Sequence, residues 1–189
     1  MKVCTVIPLK WGTFFRTEGA VKENLKARYE AIRDLLEKLK DREEWTVRAI
    51  MDRGQLEAFT IQNDPEIRQL QNDIENLSSG TAYLLKERLK LLREKALQRT
   101  IDEVIQQIYA QIMPHAEASA TSDPVHGADD VQGKELIFQM AFLVSKEKES
   151  GFTQAVLKEA RERQAQGFEV QQVGPFPPYY FCHLDIKET

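Results

Sequence analysis

No apolar run in this sequence approaches the ~20 residues needed to cross a bilayer. The amino terminus, MKVCTVIPLKWGT, meets Pro8 and Lys10 before a secretory core of ~7 to 15 apolar residues can form, so neither a membrane span nor secretion is expected. Cysteine is scarce. Cys4 and Cys182 stand near opposite ends of 189 residues, which is no disulfide scaffold and fits two reduced thiols in the cytoplasm. An excess of positive charge is also missing: 26 Lys and Arg are interspersed with 30 Asp and Glu, for a formal net charge of −4. The phosphate-neutralising footprint of a nucleic-acid binder is therefore absent. Catalytic signatures are lacking too. His115, His126 and His183 occur singly, with no HExxH, CxxC, nucleophile elbow or glycine-rich phosphate loop to accompany them. Cys182 beside His183 supplies two potential metal ligands, but neighbours on a strand point to opposite faces and a structural site wants about four. The expectation is a protein that is not an enzyme and holds no cofactor or metal.

What is present is a balance of 42% hydrophobic and 30% charged residues, that of a chain folding in water. At roughly 100 to 200 residues per domain, the length argues for one domain over residues 1–189. Lys2 to Pro8 (KVCTVIP) is apolar and β-branched and predicts a first strand ended by proline. From Glu18, the residues Val21, Leu25, Tyr29, Ile32, Leu36 and Leu39 recur at steps of three and four against charged neighbours, predicting one amphipathic helix. In EEWTVRAIMDRG, Trp45, Val47, Ala49 and Met51 alternate with polar residues until Gly54, which predicts a second strand. Glu135 to Val144 (ELIFQMAFLV), almost continuously apolar, predicts a central third strand. A second core helix follows, capped near Ser150, carrying Phe152, Val156 and Ala160 on one face and stopping at Gly167. Phe168 to Val173 then alternates as a fourth strand with one wet face.

The order βαββαβ predicts an α+β, ferredoxin-like antiparallel sheet with two helices on one face. Its core is assigned to 1–52 and 134–189. Between the second and third predicted strands lie about eighty residues where a simple hairpin has ~2 to 5. Residues 53–117 of this insertion read as three helices: near Gln55 to Ile61, Pro65 to Leu77, and from Ser79 towards Ala116. In the longest, Leu85, Leu89 and Leu92 continue into Leu97, Ile101, Val104, Ile108 and Ile112, a stripe of about 55 Å at ~1.5 Å per residue. Such a helix must pack on the other inserted helices, bend, or project. Residues 118–133, small, polar and without periodicity, predict a mobile loop.

Four segments then stand out in order along the chain: VIPLKWGTFF at Val6 to Phe15, EEWTVRAI at Glu43 to Ile50, SSGTAYLLKERL at Ser78 to Leu89, and GPFPPYYF at Gly174 to Phe181. Together they resemble the carboxyl-terminal domain of the gas vesicle protein F/L family. Two departures are visible: the further amino-terminal domain usual in that family has no counterpart here, and Phe176 stands where a tryptophan is more usual. The resemblance implies a ferredoxin-like domain extended by helices. It also implies an accessory or assembly role in gas vesicles: a minor component that binds the very hydrophobic major shell protein and assists nucleation or growth. The implied partners are that shell protein and other gas vesicle accessory proteins, with no nucleic acid and no lipid membrane, and the implied location is the gas vesicle with a cytoplasmic pool. Oligomeric state is left open.

The motif residues carry two competing uses each. In GPFPPYYF, Pro175, Pro177 and Pro178 fix the backbone while Phe176, Tyr179, Tyr180 and Phe181 supply large rings, suiting either an aromatic closure of the sheet or contact with a partner, at low cost in chain entropy. Closure is favoured. In PLKWGTFF, Gly12 permits a sharp turn and Trp11, Phe14 and Phe15 are expected to cap the core. Trp45 belongs to the second predicted strand. In SSGTAYLLKERL, Ser78 or Ser79 is read as a helix cap, Gly80 allows close approach near the helix start, and Tyr83 is a candidate partner-binding residue. The cations Lys86, Arg88, Lys90, Arg93 and Lys95 are read as a solvated face. An RNA-recognition module with the same topology is the rival reading. It is disfavoured because ELIFQMAFLV lacks the basic and glycine residues of an RNP1 strand.

Overall fold

The computed structural model describes residues 5–9, 12–75, 79–122 and 133–182. Its centre is a four-stranded sheet. Strand β1 (Arg42–Asp52) pairs antiparallel with β3 (Lys134–Ser145) on one side and with β4 (Phe168–Phe176) on the other, and β2 (Ala118–Thr121) pairs antiparallel with the outer edge of β3. The register follows the alternation of β1: Val47 lies opposite Met140 and Gln172, and Ala49 opposite Phe138 and Val170. Trp45, Val47, Ala49 and Met51 thereby share one apolar face with Phe138, Phe142, Val144, Phe168 and Val170.

Two helices cover that face. Helix α6 (Glu149–Gln164) lays Phe152 and Val156 on it, and the later half of α5 (Ser79–Ile112) adds Leu97, Ile101, Val104, Ile108 and Ile112. The Phe142 and Phe152 rings meet at 5.7 Å and 58°, a tilted aromatic pair at the middle of this core. Helix α5 has 34 residues, about 51 Å at ~1.5 Å each, and outruns the sheet. Its earlier half packs on α3 (Arg53–Asn63) and α4 (Pro65–Glu75), where Ile67, Leu70, Leu89 and Ala96 form a second, separate core with Ile61, Ile74, Leu85 and Leu92. The starts of the two shorter helices are set by side-chain caps. Asp52 accepts from the Gln55 N–H at 3.0 Å, and Asp64 accepts from the N–H groups of Glu66 and Ile67 at 2.9 and 3.1 Å.

Among the described residues, the opposite face of the sheet carries an apolar cluster at one end. There Leu39 of α2 (Tyr29–Leu39), Leu143 and Cys182 form a third cluster with Ile7, Leu35, Ala118 and Phe181. Along the rest of that face Arg48 donates to Gln171 at 2.7 Å and Lys134 to Glu169 at 2.9 Å, a polar surface.

Several expectations are corrected. The first predicted strand is no strand within residues 5–9: Ile7 is packed by its side chain into the third cluster, and Pro8, which has no N–H to give a ladder, contributes only its carbonyl to Cys182. Residues 2–4 lie outside the described residues. The predicted helix from Glu18 to Leu39 is two helices, α1 (Glu18–Ala27) and α2, broken at Arg28 with φ −116° and ψ 15°. No glycine or proline accounts for that break. The predicted loop 118–133 begins with strand β2, whose small residues carry little pattern of their own and are ordered by the free edge of β3. The long helices thus run from β1 to β2, and the hairpin is β2 to β3; residues 123–132 of the predicted loop lie outside the described residues. Helix α6 starts at Glu149 with Lys148 in the cap position, so Ser150 is not its cap.

Candidate functional site

The aromatic segment after β4 turns back across the end of the sheet. Gly174, at φ 137°, lies so close to β1 that an added Cβ would stand 3.0 Å from the Trp45 ring and 3.1 Å from the Glu44 carbonyl. Phe176 is the last residue of β4 and pairs with Glu44. Pro178 is buried, and the Tyr180 backbone N–H donates to Glu44 Oε2 at 2.8 Å. Phe181 and Cys182 then enter the third cluster, and the Cys182 thiol lies 3.6 Å from the Pro8 carbonyl and 3.7 Å from that of Tyr179 as donor. The closing segment therefore brings the chain carrying Val6 and Leu9 beside the chain carrying Tyr179.

Glu44 is the electrostatic centre of this closure. It is 2% exposed, and burial pushes its carboxyl from 4.5 up to about 7, with the Tyr180 N–H working against that rise. Burial, and then the Glu44 charge, raise the Cys182 thiol above its ordinary value. The Trp45 indole N–H is buried without a hydrogen-bond partner among the described residues.

The singled-out residues divide between cover and surface. Trp45, Pro178, Tyr180 and Phe181 hold the closure together, whereas Pro175, Phe176, Pro177 and Tyr179 remain at the surface, Tyr179 at 55% exposure. Gly12 takes φ 84° in an open turn. Phe14, expected to cap the core, is 91% exposed, and α1 beside it buries no residue, whereas Phe15 is half-buried. Trp11 lies outside the described residues, and Gly80 sits in the first turn of α5, far along the chain from the closure. Tyr83, on the same helix, is 66% exposed. The structure thus does not unite these residues in one site. Glu44 was missed because an acid pair, Glu43 and Glu44, reads as solvated until the returning chain covers one of them.

Among the described residues no three metal-binding side chains cluster, and no helix is long and apolar enough to cross a membrane. Comparison with known proteins gives a consistent picture. The family model described as gas vesicle synthesis protein GvpL/GvpF matches residues 1–183. The chain is 23% identical over 186 residues to gas vesicle protein L of Haloferax mediterranei, covering 94% of this chain and 56% of that protein. It is 28% identical over 156 residues to gas vesicle protein F of a Nostoc species, covering 80% and 59%. The chain therefore spans less than two thirds of the length of these curated relatives. The crystal structure of GvpF from an Anabaena species superposes with a TM-score of 0.70 at 22% identity, over 96% of this chain and 71% of that one, so both share a fold of helices around an antiparallel sheet.

Proposed function

Because the chain belongs to the gas vesicle synthesis protein GvpL/GvpF family, we propose that it is a non-enzymatic gas vesicle accessory protein that binds the hydrophobic major shell protein and assists vesicle nucleation or growth. It acts as a minor component at the vesicle, with a pool in the surrounding cytoplasm, and meets other accessory proteins there. The observation that carries this reading is apolar surface left open around the closure. Val6, Leu9 and Tyr179 flank the contact between Pro8 and Cys182, and Phe14, Leu25, Tyr29 and Phe176 are likewise exposed. Isolated apolar side chains at a surface are ordinary, but large rings held on a stiff, proline-fixed segment lose little freedom when a partner covers them. Covering an apolar subunit in this way is worth ~25 cal/mol per Å² before ordering costs. No turnover is needed.

We read the sheet as ferredoxin-like on the same footing and the chain as one domain. Supporting this are the order β2-β3-β1-β4 with antiparallel neighbours throughout, and the placement of α3 to α5 and of α6 as the two crossovers. The rival RNA reading needs aromatic rings on the sheet face turned away from α5 and α6. The central residues there are Thr46, Arg48, Gln139 and Ala141, with Gln171 beside them, none of them aromatic.

The test is co-sedimentation of the purified chain with the major shell protein, together with light scattering of that protein as it aggregates. Binding and suppressed aggregation are expected, with fewer vesicles on deletion in vivo. A chain that neither sediments with the shell protein nor slows its aggregation, and whose loss leaves vesicles intact, would refute the proposal.

A further inference from the structure

Between α3 and α5, away from the closure, lies a groove of about 320 Å³. Its floor is apolar, with Ile61, Leu89 and Leu97, and its rim carries Lys86, Lys90 and Arg93. The two acids that also line it, Glu57 and Glu94, are both taken by Arg53, at 3.0 and 2.8 Å. Of the other cations of α5, Arg88 pairs with Glu66 at 3.8 Å and Arg99 with Asp64 at 3.3 Å, while Lys95 is exposed outside the groove. Lys86, Lys90 and Arg93 have no carboxylate within ion-pair distance among the described residues, and the Arg93 Nε is buried without an acceptor.

Thr60 supplies an independent sign. It is 7% exposed, lines the groove, and its hydroxyl has no hydrogen-bond partner among the described residues. A threonine within a helix ordinarily satisfies itself on the carbonyl four residues back, as Thr100 does on Ala96 at 3.0 Å. A buried hydroxyl that forgoes this is an exception that calls for a ligand or another cause.

We propose that this groove receives an acidic, amphipathic segment of another protein. An apolar side chain of that segment rests on Ile61 and Leu89, and its carboxylates meet Lys86, Lys90 and Arg93, with one taking the Thr60 hydroxyl. The spacing favours a peptide over a single small anion. The three cations stand at i, i+4 and i+7, spread over about 10 Å of helix, which matches a row of carboxylates and not one. Tyr83 lies on the same stripe, a further turn towards the helix start, and is exposed to extend the contact. The charge complementarity sets the class of partner. This inference rests on reading the chain as an interaction protein, but it concerns a different surface and a different, acidic occupant.

The probe is a fluorescein-labelled, helix-forming peptide of about fourteen residues with a leucine stripe and glutamates at i, i+4, followed by fluorescence anisotropy at low salt. The intact chain should bind it. The variant K86Q/K90Q/R93Q should bind at least about tenfold more weakly, as should a peptide with glutamine for glutamate, while circular dichroism stays unchanged. Thr60→Val should also weaken binding, without loss of thermal stability. No binding by the intact chain, equal binding by the triple variant, or competition by free glutarate at the concentrations at which the peptide saturates would each overturn the proposal. Running both proteins in the shell co-sedimentation assay separates the two readings. Shell binding by the intact chain with no peptide binding removes the groove alone; charge-dependent peptide binding without shell binding removes the shell-protein reading alone.

Discussion

Glu44 shows how much one buried carboxyl can decide. Its carboxyl is pushed from 4.5 to about 7 by burial, so the folded chain holds a proton that the unfolded chain releases at lower pH. The sign follows directly: this contribution to stability is complete below about pH 4.5 and is lost as pH rises through about 7, a loss of roughly 1 to 3 kcal/mol. Urea midpoints measured between about pH 5 and about pH 8 should fall in the intact chain and stay level in Glu44→Gln, whose amide oxygen still accepts from the Tyr180 N–H. A variant that keeps the full pH slope would exclude Glu44 as its source. Gly174 makes a second case at this scale. Alanine there would adopt a left-handed φ of 137° and press its Cβ to 3.0 Å from the Trp45 ring. Gly174→Ala should cost about 2 to 4 kcal/mol in chemical denaturation; an effect near zero would show that the closing segment is loosely held. Neither consequence was readable from the local sequence, because both come from a segment that returns over a hundred residues later.

At the scale of elements, periodicity was a good guide for the elements that the cores cover. It was a poorer one for α1 and α2, whose stripe reads as a single helix although the chain breaks at Arg28, and Leu25 and Tyr29 are exposed. The apolar stripe of α5, the alternation of β1 and the continuous apolar run of β3 each identify the element and the face it buries. It failed where a neighbour decides. Apolar residues at Ile7 can be buried by side-chain packing without a ladder, and β2 is a strand because β3 offers it an edge. The stripe of α5 also concealed a division, since its two halves serve two cores that share no buried residue. Helix α4 is held through the second core, where Ile67 is fully buried. Ile67→Ala removes about 2 to 5 kcal/mol of local packing. It should therefore speed amide exchange in α4 and the early half of α5 while β1 and β3 keep their protection. Uniform acceleration across the chain would mean that the two cores unfold as one.

For the whole molecule, motif order along the chain made the family legible, but the distribution of surfaces was not, since exposure depends on what covers an element. The fold leaves open apolar rings around the closure at one place, beside β1 and β4, and a basic groove at another, between α3 and α5. That separation argues for two contacts of different chemistry, the first with an apolar subunit and the second with an acidic segment. Paired substitutions can tell them apart. Phe176→Ser with Tyr179→Ser should leave the melting temperature unchanged, because both side chains are surface-exposed, yet weaken co-sedimentation with the shell protein by about tenfold, as expected for aromatic anchors at an interface. Tyr83→Ser with Leu84→Ser, equally exposed but on α5, should leave shell binding intact. If the α5 pair abolishes shell binding and the closure pair does not, the apolar subunit docks on the helices, and the rings around Glu44 serve the fold alone.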